Sequence, residues 1–87
     1  MENLESLVEA ALAEVAGAGD ARALDDVRVR YLGKKGEISA LLKSLGGLSA
    51  EERPKAGALI NEAKQRVQAA IDERRQTLEE AALNEQL

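Results

Sequence analysis

Eighty-seven residues suffice for one small domain, and with 16 alanines among the 39 hydrophobic residues and Tyr31 as the single aromatic, a thick globular core is excluded. The lack of cysteine and histidine excludes disulfides, thiolate or imidazole metal sites and a histidine general base. A net charge of -4 argues against general affinity for nucleic acid, and no apolar run approaches the roughly 18 residues that a membrane span needs.

Abundant Ala, Leu, Glu, Lys and Arg with one proline fit an all-α class, helices packed along narrow seams. The first segment sets Leu4, Leu7, Val8, Ala11, Leu12 and Val15 on an i, i+3, i+4 stripe, which predicts a helix over about 3–16. Gly17-Ala18-Gly19 ends it, with glycine free to take a left-handed C-terminal cap, and Asp20 stands where it can cap the next helix. That second helix is predicted over about 20–45, with Leu24, Tyr31, Ile38 and Leu45 at sevenfold spacing and Val27 and Leu41 offset by three, a heptad seam. RYLGKKGEISALLKSL, residues 30–45, interrupts it: the uninterrupted register would put Lys34 in the seam and leave Val29 and Leu32 on a second face. A distortion or break at 33–36 and cover from two sides are both expected.

Gly46-Gly47 is a strong breaker, and Ser49-Ala50-Glu51-Glu52 has the form of a capping box. Pro54 would clash with the Ala50 carbonyl in a regular helix, so residues 49–53 read as a turn feeding a long helix within about 50–84. Its apolar face is Leu59, Ile60, Ala63, Val67, Ala70, Ile71, Leu78 and Ala81. The short connection forces this helix back antiparallel to the second, giving a helical hairpin or coiled coil with the first helix alongside its open end, one domain over 1–87.

Charge is uneven along this rod. Residues 1–27 carry one basic and seven acidic groups, 28–55 seven and three, and 56–87 four and six. Binding follows local potential, because charges several Debye lengths apart are screened from one another. Arg28, Arg30, Lys34, Lys35 and Lys43 precede the turn and Arg53, Lys55, Lys64 and Arg66 follow it, so a hairpin brings both sets toward one end. They form either one positive surface or solvated residues each paired with a nearby Glu. Lys34-Lys35 stands apart, with glycine on both sides and no acidic residue in the three positions before it. Gly33 and Gly36 either expose the lysines or permit tight packing around Tyr31 and Leu32.

Catalytic chemistry finds no foothold. The pairs Asp25-Asp26, Glu51-Glu52 and Glu79-Glu80 point about 100° apart on a helix and cannot share a ligand. GKKG lacks the earlier glycine and the following Ser or Thr of a triphosphate loop. The expectation is no catalytic residue, no metal and no cofactor in this chain.

VRVRYLGKKGEIS (27–39) followed by LSAEERPKAGALINEAK (48–64) closely resembles the start of bacterial phenylalanyl-tRNA synthetase α subunits. In that family a YLGKKG block and an EERP…G…IN block sit at this separation within an N-terminal helical arm, and the resemblance covers almost the whole chain. The same blocks argue against the analogous arm of seryl-tRNA synthetase. The resemblance implies a cytoplasmic antiparallel coiled coil that reaches out from an α2β2 enzyme and touches tRNA for phenylalanine. It also implies a β subunit as partner, and ATP and magnesium for a class II catalytic domain that a chain ending at Leu87 does not reach, as expected of an excised arm or fragment. Transferred to this sequence, it makes Lys34 and Lys35 the first phosphate contacts and Arg28, Arg30 and Lys43 the next, with Arg53, Lys55, Lys64 and Arg66 completing the surface. Because Tyr31 sits in the seam, contact is expected with phosphate and backbone shape rather than base identity. The alternative is a protein-interaction coiled coil with no nucleic-acid role.

Overall fold

The chain is described by a computed structural model over residues 2–85. It folds as four α-helices, α1 (Glu2–Gly17), α2 (Ala21–Leu32), α3 (Glu37–Lys43) and α4 (Glu52–Glu85), with a 3-10 turn at Ser44–Gly47 continuing α3. The rod they make measures 57 × 18 × 17 Å, its length set by the 34 residues of α4. Helices α2 and α3 run antiparallel to α4: Leu45 lies beside Gly57 at one end, and Asp20 and Ala21 share a groove with Arg75 and Leu78 at the other. Helix α1 runs parallel to α4, Glu5 meeting Arg66 and the Ala18 carbonyl meeting Arg74. It therefore flanks the open end of the hairpin and reaches α3 at Ser6 and Leu7, so that only the stretch nearest the turn has two helices.

Local signals account for most of the boundaries. Asp20 Oδ1 accepts from the Ala23 amide at 2.8 Å and starts α2, and Ser49 Oγ accepts from the Glu52 amide at 3.2 Å and starts α4. Pro54 falls in the first turn of α4, where its missing N–H has no intrahelical partner to lose, so the helix begins at Glu52 rather than after the proline. Two turn expectations are corrected. No described glycine has positive φ, so no left-handed cap ends α1; the Ala18 amide bonds to the Val15 carbonyl at 3.2 Å instead. Gly46 and Gly47 do not break the chain but lie inside the 3-10 turn, and the reversal falls on residues 48–51.

The core is a narrow seam. Leu4, Val8, Ala11 and Val15 of α1 meet Leu24, Val27 and Tyr31 of α2, Ile38 of α3, and Ile60, Ala63, Val67 and Ile71 of α4, all buried. Along α4 the inward positions 56, 60, 63, 67, 71, 74 and 78 advance by eleven every three steps, the spacing of a nearly straight helix rather than a heptad supercoil. The sevenfold spacing from Leu24 to Leu45 crosses a broken helix and does not define one continuous coil. Position 74 in the α4 stripe is an arginine, and its Nε donates to the Ala18 carbonyl at 3.0 Å, satisfying the end of α1 from across the bundle. Leu59 and Ala81, expected on the buried face, are exposed, Leu59 by 52%, because α1 does not reach them. Cover from two sides fails at Val29, which is 55% exposed, and holds in part for the half-buried Leu32.

Candidate functional site

The GKKG block is a joint between two helices. The Gly33 amide closes α2 on the Val29 carbonyl at 3.2 Å, the Gly36 amide turns back to the Gly33 carbonyl at 2.8 Å, and the Ala40 amide opens α3 on the Gly36 carbonyl at 2.9 Å. Ser39 Oγ donates to the Leu32 carbonyl at 3.3 Å, satisfying one of the acceptors that the end of α2 leaves open. Both glycines have ordinary negative φ, -66° and -68°, so backbone dihedrals do not require them. Space does. A Cβ on Gly33 would sit 2.6 Å from the Val29 carbonyl oxygen, and one on Gly36 would sit 2.6 Å from the Tyr31 carbonyl and 2.9 Å from the Gly33 nitrogen. The joint folds back on its own main chain and leaves Lys34 and Lys35 as exposed turn residues.

Behind the joint stands a polar support that crosses from α1. Glu14 accepts from the Tyr31 hydroxyl through Oε2 and from Arg30 Nη1 at 3.1 Å through Oε1, while the Arg30 guanidinium lies 5.8 Å from the Tyr31 ring centre. Burial, then the Glu14 hydrogen bond and charge, push the Tyr31 hydroxyl up from 10.0 to about 12. The unfolded chain loses this proton near its ordinary value and the folded chain only later, so the stability involved is complete below pH 10 and is lost between pH 10 and 12. Relative to Tyr31→Phe, the wild type is expected to lose stability across that window. Denaturant titrations at stepped pH, with tyrosinate absorbance as the second readout, check this; an ordinary tyrosine titration in the folded chain would contradict it.

The nine cations singled out by sequence fall into two groups. Arg28 pairs with Asp25 at 3.0 Å, Arg30 with Glu14 at 3.1 Å, and Arg66 with Glu5 at 3.9 Å, all at half-exposed or exposed positions where such pairs add little stability but do neutralise charge. Arg53 donates through Nε and Nη2 to the carbonyls of Leu45 and Leu48, both at 3.3 Å, and so clamps the hairpin turn. Lys34, Lys35, Lys43, Lys55 and Lys64 form no ion pair among the described residues. All five lie in the joint or in the half of the rod nearer the turn. Residues 33–66 carry seven cations and four carboxylates, whereas the rest of the chain carries five and twelve. Glu14 and Arg74 were not singled out from sequence, since each acts on a partner on another helix with no local pattern to mark it.

No group of His, Cys, Asp and Glu among the described residues could hold a metal ion, and no described helix is long and apolar enough to cross a membrane. What the arrangement offers is a rod with five lysines that form no ion pair among the described residues, at the joint and toward the turn.

A family model described as the N-terminal domain of class II aminoacyl tRNA synthetases matches residues 19–87. Phenylalanine-tRNA ligase alpha subunits are similar over the whole chain: that of Alcanivorax borkumensis is 74% identical over 87 residues, that of Cellvibrio japonicus 62% and that of Saccharophagus degradans 63%. The chain covers 26% of the length of each of these relatives.

Proposed function

The chain belongs to the family of class II aminoacyl-tRNA synthetase N-terminal domains, and from that premise we propose that it serves as the tRNA-docking arm of a phenylalanine-tRNA ligase alpha subunit. The observation that carries this reading is the exposed pair Lys34-Lys35, without carboxylate partners among the described residues, on a sterically closed joint. A polyanion is attracted to the net-positive half of the rod and repelled by the net-negative half, so it docks toward the turn. Tyr31 is only 3% exposed and bonded to Glu14, which leaves no aromatic face on which a base could stack. Recognition is therefore of phosphate spacing and helix shape.

An arm of this kind assists aminoacylation by spending binding energy far from the reacting centre, holding the body of the tRNA so that its acceptor end is presented in register. In the whole ligase, a cytoplasmic enzyme on this reading, the catalytic domain binds ATP, magnesium and phenylalanine, and a beta subunit completes an α2β2 assembly.

Deleting the arm from the assembled ligase tests the reading. Amino-acid activation, measured by ATP–pyrophosphate exchange, is expected to persist, while tRNA affinity falls and the slope of log affinity against log salt becomes shallower. An arm-deleted enzyme that binds tRNA as the wild type does would favour the coiled coil that serves protein contacts alone.

A further inference from the structure

Two stripes run along α4, and in the half nearer the turn they differ in charge. Arg66, Ala70, Glu73 and Thr77 face α1, Arg66 through Glu5 and the others in the groove they share with Leu12 and Val15. Stepping back from Arg66 by four, seven, eleven and fourteen residues reaches Glu62, Leu59, Lys55 and Glu52, which continue the same stripe beyond the end of α1. This explains why Leu59 is exposed, and it makes that face a mixture of carboxylates and cations.

The second stripe lies on the side of α4 turned away from α1. Gly57 stands beside Leu45 of the 3-10 turn, and Arg75 shares a groove with Ala21 of α2. Lys64 and Gln68 fall between them at helical spacing, and Arg53 precedes Gly57 by one turn. From Arg53 to Gln68 this stripe has two cations and no carboxylate. On α3, Glu37, Ala40 and Leu41 line the groove to Ser6 and Leu7 of α1, so Lys43, about 200° round the helix from Leu41, also points away from α1.

Gly57 supplies an independent observation. It sits inside α4, where glycine is less stable than alanine, yet packing does not require it: a Cβ there would meet Leu45 Cδ1 at 3.7 Å, an ordinary contact. Gly33 and Gly36 have a steric reason within the fold, whereas Gly57 has none. Its effect is to leave α4 without a side chain of its own at that level between Arg53 and Lys64, with Leu45 alongside.

Resting on the docking reading above, we propose that the RNA backbone lies across α3 and α4 on the face turned away from α1, with phosphates at Lys43 and Lys64, and with Gly57 at the level between Arg53 and Lys64. The face beyond α1 that carries Glu52, Lys55, Leu59 and Glu62 stays free of RNA.

The test uses the assembled ligase and a transcript of tRNA for phenylalanine over a salt series. Lys43→Gln with Lys64→Gln is expected to weaken binding and lower the salt slope by up to about 0.9 for each lysine, while Lys55→Gln leaves both at wild-type values. Gly57→Gln, which should raise helix stability, is expected to weaken binding; Leu59→Gln, on the other face, is not. Circular dichroism confirms that each variant keeps its helix content. Equal effects from Lys55→Gln and Lys64→Gln, or wild-type binding by Gly57→Gln, would overturn the inference. If, in addition, the arm-deleted enzyme binds like the wild type, the docking reading itself fails; if only the arm-deleted enzyme weakens, the choice of face alone is wrong.

Discussion

Gly36→Ala is expected to destabilise the rod by about 2–3 kcal/mol, although it adds a single methyl group and suits the local dihedrals. The added Cβ would lie 2.6 Å from the Tyr31 carbonyl carbon and oxygen and 2.9 Å from the Gly33 nitrogen, all main-chain atoms that no rotamer change can move. Relief requires opening the joint, which strains the hydrogen bonds that close α2 and start α3 and pulls Ile38 from the seam. Gly33→Ala should behave alike, since its Cβ would meet the Val29 carbonyl oxygen at 2.6 Å. Gly46→Ala is the control: nothing lies within 4 Å of a Cβ there and φ is not positive, so stability is expected to hold or to rise by up to about 1 kcal/mol. Urea midpoints compared at equal slope decide the matter, and similar midpoints for Gly36→Ala and Gly46→Ala would contradict the steric account.

The parts of this fold that could be read in the sequence are those fixed by residues near one another. The stripe of α1, the Asp20 and Ser49 caps, the great length of α4 and the interruption at 33–36 all arise from contacts within a turn or two of helix. Other features depend on where helices end relative to their neighbours. Leu59 lies on the same stripe as Arg66 and Ala70, and only the level at which α1 begins leaves it in solvent. The heptad reading of Leu24 to Leu45 counted residues through a joint that does not continue the helix. Gly46 and Gly47 signalled a break, yet a 3-10 turn accepts glycine at ordinary negative φ, and Arg53 holds that turn by its carbonyls.

The candidate site divides in the same way. Lys34 and Lys35 stood out by their flanking glycines and the lack of acid before them, but whether those glycines served exposure or packing was open, and the close main-chain approach at both gives them a steric reason. The pairing of Arg28 with Asp25 is a local one three residues apart, but the partners of Arg30 and Arg66 could not be read, because Glu14 is 16 residues from Arg30 and Glu5 lies on a different helix from Arg66. Tyr31 was placed in the seam by its spacing, but its hydrogen bond to Glu14, which holds α1 against the base of the joint, is a tertiary contact.

Replacing both Lys34 and Lys35 with glutamate should leave the fold intact and impair tRNA binding. Both side chains are exposed and neither takes part in the seam at Tyr31 and Ile38, so helix content and melting should match the wild type. Each change removes one attraction to phosphate and adds one repulsion. The most direct measurement is the affinity of the assembled ligase for tRNA as a function of salt, wild type against Lys34→Glu/Lys35→Glu, with amino-acid activation followed in parallel. The account predicts weaker binding, a salt slope lower by nearly two at roughly 0.9 or less per lost contact, and unchanged activation. Wild-type affinity and slope in the double variant would show that the joint serves packing alone and that the lysines do not meet phosphate.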